Sequence, residues 1–154
     1  MQIYISYFYQ IRFFTPNMIP MSTAVSDPKW YHNHQGNKHI YFDKRGVING
    51  VRAETLHPDD SCADLCGGKG CNQDPSECKF LRLYREQLDK IDFDKFLKQL
   101  KKLSHDYQAC MKLNDPVDIV LIVHEAPTNK CSERVVLQRW FESNKYQLKE
   151  WSKS

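Results

Sequence analysis

One stretch, Val117 to Val123, constrains this chain more than any other. The run VDIVLIV holds five β-branched residues in seven positions, and its apolar residues do not alternate with polar ones. A strand with one wet face alternates. A continuous apolar run therefore predicts a strand buried on both faces, as the central strand of a parallel sheet is. Parallel neighbours need crossover connections, so helices must pack on that sheet.

The rest of the chain fits this requirement. IYISYFYQI is rich in β-branched and aromatic residues and predicts a first strand over Gln2 to Tyr7. NMIPMSTAV follows Pro16 and predicts a second short strand before Asp27-Pro28. Between Trp30 and Asp60 no period is sustained, and Gly36, Gly46 and Gly50 interrupt it. This segment reads as loop with one short hairpin around IYFDKRGVING. Pro75, Ser76 and Glu77 then offer a helix start, and Phe80, Leu81, Tyr84, Leu88 and Ile91 recur at helical steps. Asp92 is placed to cap a second helix with Phe93, Phe96, Leu97, Leu100 and Leu103 on one face.

After the break at Asn114-Asp115-Pro116 comes the buried strand, and APTNKCSE leads into a third helix, ERVVLQRWFESN. Val136, Leu137, Trp140 and Phe141 are its inward residues. The tail YQLKEWSKS adds a short strand or packs through Tyr146, Leu148 and Trp151. At 154 residues the chain has room for one core. The expected architecture is a single α/β domain over residues 1–154, with a small, mostly parallel sheet, crossover helices and a cysteine-rich insert.

No segment approaches the ~18 consecutive apolar residues of a membrane span. The N-terminus lacks a basic region followed by a small-residue cleavage site, so a soluble cytoplasmic protein is expected, with no membrane partner. That compartment decides how the cysteines are read. Four of the six, Cys62, Cys66, Cys71 and Cys78, crowd into DDSCADLCGGKGCNQDPSEC. Reduced thiols at such spacing suit a structural zinc ion, whose four-thiolate shell leaves no place for substrate. Two disulfides, free thiols or an iron–sulfur cluster are the alternatives. The C-x3-C-x4-C-x6-C spacing is not that of a zinc ribbon, and the loop depends on Gly67, Gly68 and Gly70 to turn. His32 and His34 have no companion ligand in register.

Chemistry is expected where the buried strand ends, because strand carboxyl ends and the free N–H groups of the next helix face a common crevice in α/β sheets. Glu125 emerges there, Cys131 or Ser132 caps the following helix, and Arg134 sits in its first turn. A cation in that turn opposes the helix dipole, so it implies an ion pair, with Glu125 the expected partner, or an anionic ligand. Cys131 beside Arg134 is a candidate nucleophile, or else a small cap residue. If the first two strands run parallel to the third, Ser6, Tyr7 and Ser22 reach the same edge, where Trp30 and Tyr31 can stack on a ligand or belong to the core.

Three segments together, IYISYF, MIPMSTAVSDPKWY and IVLIVHEAP…CSERVVLQRWF, resemble the bacterial and phage family catalogued as domain of unknown function 488. The family pattern of Ser-Tyr-Phe, a serine-ended strand leading to Pro-x-Trp, and Cys-Tyr-Glu before Cys-His-Arg maps here onto Ser6-Tyr7-Phe8, Ser22 with Pro28-Lys29-Trp30, Val123-His124-Glu125 and Cys131-Ser132-Glu133-Arg134. The strand cysteine and the histidine of the last motif are missing, so no mechanism that needs them carries over. The resemblance implies a fold more than an activity.

The resulting expectation is a strand-end pocket for a small anionic, nucleotide-like ligand, lined by Ser6, Tyr7, Ser22, Trp30, Glu125 and Arg134. The alternative is a hydrolase or glycosidase acting on nucleotides or nucleic acid through Glu125 or Cys131. A nucleic-acid surface on Lys95, Lys98, Lys101 and Lys102 is a third reading, weakened by a net charge of only +3.

Overall fold

The structure is a computed structural model that describes residues 1–31, 41–60, 74–129 and 131–153. Its centre is a five-stranded sheet in the order β5-β2-β6-β1-β7, and every pairing in it is parallel. The strands are β1 (Ile3–Tyr7), β2 (Met18–Ser22), β5 (Val51–Arg52), β6 (Asp118–Val123) and β7 (Lys149–Glu150). As its sequence requires, β6 is central, and Ile119 to Val123 are all fully buried. The short strands β3 (Tyr41–Phe42) and β4 (Ile48–Asn49) form the expected antiparallel hairpin. Gly46, at φ +80°, takes the left-handed turn position there.

Three helices cover one face: α1 (Lys79–Asp89), α2 (Phe93–Cys110) and α3 (Glu133–Ser143). Asp92 caps α2 by accepting the Lys95 N–H at 3.1 Å. Phe93, Phe96, Leu100 and Tyr107 then point inward at helical spacing. The alternation of β6 splits the interior in two. Ile119, Leu121 and Val123 meet the helices, whereas Val120 and Ile122 pack on Phe8, Ile11, Phe14 and Tyr31. The crossover from β1 to β2 is therefore no α-helix. It is a 3₁₀ segment, Phe8–Phe13, lying on the face away from the helices.

On the helix side, Trp140 and Phe141 of α3 pack edge-on to Phe93 at centroid distances of 5.2 and 5.1 Å. No helix among the described residues is long and apolar enough to cross a membrane. Lys95, Lys98, Lys101 and Lys102 all lie on the exposed side of α2, where Lys102 pairs with Asp106 at 2.6 Å.

Candidate functional site

Chain connections leave β1 and β6, which are neighbours, toward opposite faces of the sheet: the 3₁₀ segment on one side and α3 on the other. In doubly wound sheets a crevice opens at this kind of divergence, at the strands' carboxyl ends. Read across the sheet, the strand ends carry Arg52 (β5), Ser22 (β2), Glu125 just past β6, Tyr7 (β1) and Glu150 (β7). The start of α3 adds Ser132, Glu133 and Arg134, all buried.

Ser132 rather than Cys131 is the cap. Its Oγ accepts the Arg134 N–H at 3.2 Å and donates to Glu125 Oε2 at 3.1 Å. One hydroxyl thus ties the helix start to the end of the central strand. Cys131 stands one residue outside, half-buried, with its N–H donated to Asn129 Oδ1 at 3.0 Å.

Arg134 is only 4% exposed. Its expected pairing with Glu125 is corrected: Nε donates instead to Glu150 Oε1, brought alongside by the parallel register of β7 on β1. The guanidinium carbon lies 5.8 Å from the centre of the Tyr7 ring, within cation–π range. Nη1 and Nη2 are buried and meet no acceptor among the described residues. Burial pushes the Glu150 carboxyl up, and the Arg134 charge and hydrogen bond only partly offset it.

Glu133 was not anticipated. It is 6% exposed, and burial first, then the neighbouring Glu125 carboxylate, pushes its carboxyl up to about 8 against a pull from Arg52. At neutral pH it therefore keeps its proton. Arg52 anchors the other end of the row, donating to Asp27 at 3.2 Å and contacting His57 Nδ1. The only sign of Glu133 in the sequence is a carboxylate beside a capping serine, which ordinarily marks an exposed first turn.

The alternation of the strands also divides the expected site. Ser6 and Ser22 both pair with Ile122 and share its face, away from the helices, whereas Tyr7 pairs with Val123 on the helix side. Ser6 donates its hydroxyl to the Trp151 carbonyl at 2.8 Å, and Ser22 donates to Asp27. Each hydroxyl thus spends its one donor inside the protein, on the face away from Tyr7. Trp30 lies on that second face too, half-exposed and edge-on to Phe8 at 6.0 Å. Tyr31 is core: it is buried, and its hydroxyl donates to the Pro20 carbonyl at 2.9 Å. Ser132 joins Glu125 to the Arg134 backbone, and the Arg134 guanidinium lies by the Tyr7 ring on the helix side.

Cys62, Cys66 and Cys71, with His32 and His34, lie outside the described residues. Cys78 is a buried free thiol packed in the helix-side core. Among the described residues no group of three His, Cys, Asp or Glu side chains is arranged to hold a metal ion.

Fold and site define a small parallel α/β domain with a charged strand-end row. No family model, curated protein or solved structure matches the chain.

Proposed function

We propose that the strand-end row binds a small anionic ligand of the nucleotide class, with Arg134 as its anchor. One observation carries this reading: a buried guanidinium uses one N–H on Glu150 and leaves both Nη groups without an acceptor. A planar fork of that kind matches the two oxygens of a phosphate or carboxylate. Leaving a charged donor unmet in the interior is costly, so the arrangement makes sense when an oxyanion completes it. Glu125 accepts from a sugar hydroxyl or base amine, and the protonated Glu133 donates. Tyr7 offers a ring face. The likeness of the Ser6-Tyr7-Phe8 and Glu125…Arg134 motifs to domain of unknown function 488 belongs to the same proposal.

Thermal-shift titration with nucleoside mono- and diphosphates tests it. The expected result is a ligand-dependent rise in Tm for the native chain and a smaller one for Arg134→Met, which keeps bulk but no donors. A panel that moves neither protein, or that moves both equally, overturns the reading.

A hydrolase is favoured by a different observation, the buried Glu133 carboxyl, pushed up by burial, next to the Glu125 side chain that Ser132 holds at the start of α3. Two carboxyl groups held in opposite protonation states are the usual means of cleaving glycosidic bonds. Glu133 then protonates the leaving group, and Glu125 attacks or activates water. Glu125→Gln should abolish turnover while sparing ligand binding. Equal loss of both would remove this second reading.

A further inference from the structure

A separate cavity of about 470 Å³ opens on the face away from the helices, between the 3₁₀ segment, Trp30 and the β3–β4 hairpin. Phe8, Ile11, Trp30 and Phe42 form its apolar walls, and Asn49 and Arg12 its polar points. Trp30 and Phe42 are 49% and 48% exposed, a large aromatic area to leave in water. Phe8 is held from three sides: by Trp30 at 89° between the ring planes, by Tyr31 at 76°, and by the His124 ring at 4.9 Å. Trp30 and Phe8 thus make a corner of two perpendicular rings, so a flat group lying on one meets the edge of the other.

Asn49 supplies the polar signal. It is 8% exposed, and its Oδ1 is buried with no donor among the described residues. Buried acceptors are nearly always satisfied, so this one asks for an N–H or O–H from whatever occupies the cavity. The charges around it are mostly spent. Arg45 donates Nε and Nη2 to Asp43 and its Nη groups to the backbone carbonyls of Ile11, Phe14 and Arg12. Burial alone would raise the Asp43 carboxyl, but the bonds from Arg45 and from the Val47 N–H outweigh it and hold it below its ordinary value. Arg45 and Asp43 therefore brace the wall. Arg12 lies 3.8 Å over the Tyr9 ring and donates Nε to the Tyr9 carbonyl at 2.9 Å, which leaves its Nη groups for the cavity mouth.

We infer that this cavity is a binding site for an amino-bearing nucleobase, stacked on Trp30 with its exocyclic amine donated to Asn49 Oδ1. Aromatic walls accept any base by stacking, and the buried acceptor selects those that carry an N–H at that edge. The site shares no residue with the Arg134 row and does not depend on it.

Adenosine, cytidine, guanosine and purine riboside, which is adenosine without its amine, are titrated into the full chain while tryptophan emission is followed. Trp140 is buried and Trp151 packs edge-on to Phe14, so a quench that disappears in Trp30→Leu reports on this cavity. The expected result is that at least one amino-bearing nucleoside quenches, and that adenosine binds about tenfold more tightly than purine riboside, as an unmet buried acceptor requires. Asn49→Leu erases that preference and Asn49→Asp, which keeps an acceptor, retains it. Circular dichroism establishes that each variant is folded. No quench by any amino-bearing nucleoside, or equal binding of adenosine and purine riboside by a folded native chain, overturns the proposal. Arg134→Met leaves this titration unchanged, so failure here and failure at the strand ends are separately visible.

Discussion

Glu133→Gln is the most informative substitution in the molecule, because it removes an ionisable proton and changes little else at a buried position. The Glu133 carboxyl sits at about 8 in the folded protein against 4.5 for an unperturbed group. The folded state therefore holds this proton more tightly than the unfolded state does. The resulting stabilisation is complete below about pH 4.5 and is lost as the pH rises through about 8. At roughly 1.4 kcal/mol per unit of displacement, the full loss is on the order of 5 kcal/mol.

Glutamine keeps the size and polarity of the protonated acid and cannot ionise. Urea denaturation followed by Trp140 emission, at intervals from pH 5 to pH 9, reads the difference directly. The native chain should lose about 1.4 kcal/mol per pH unit relative to the variant across most of that window. The two should be nearly equal at pH 5, with Glu133→Gln several kcal/mol more stable at pH 9. Groups common to both proteins cancel in the difference. Glu125→Gln removes the neighbouring negative charge and should shift the window to lower pH. Parallel stability curves for the native chain and Glu133→Gln would refute the claim that a buried, protonated acid begins α3.

Other outcomes follow from the same geometry. Ser132→Ala removes both the α3 cap and the hydroxyl that holds Glu125, and should cost about 1 kcal/mol in urea titrations; a loss of only a few tenths would remove Ser132 from both roles. Trp140→Ala should cost about 3–5 kcal/mol, because the indole fills the space between Phe93, Phe96 and Phe141. Trp30→Ala, at a half-exposed ring, should cost less than about 1 kcal/mol, and a loss as large as that at Trp140 would place Trp30 in the core. Metal analysis of chain purified under reducing conditions should find about one zinc ion per chain bound by the four-cysteine segment. Metal-free protein of unchanged Tm would leave that segment to disulfides or free thiols.

The architecture was readable because its signals are local. The unbroken apolar run of β6, the aspartate capping α2, the hairpin glycine and the inward residues of α3 each carry their meaning within a dozen positions. The site was readable only in part. That Glu125 and Arg134 adjoin follows from chain order, since the end of a central strand and the start of the next helix must meet. Their partners do not, because Arg134 meets Glu150 only once β7 pairs with β1. Likewise Glu133 feels the charge of Arg52, some eighty residues earlier in the chain, only once the sheet has formed. The separation of Ser6 and Ser22 from Tyr7 has a simpler cause. Residues that end parallel strands share an edge, but whether they share a face follows from their register, and Ser6 and Tyr7 are one residue apart.

The tail runs like a latch along the first strand. Trp151 donates its N–H to Ile5 at 2.8 Å, Ser6 reaches back to the Trp151 carbonyl, and Lys153 donates to the Gln10 side chain. The carboxylate that steadies Arg134 arrives on β7, an edge strand of only two residues. Without β7, every residue of β1, β2, β6 and α3 is still in place, but the buried Arg134 has no counter-charge. Peeling β7 from β1 therefore costs more than two strand pairings, because it also strips a buried cation of its carboxylate.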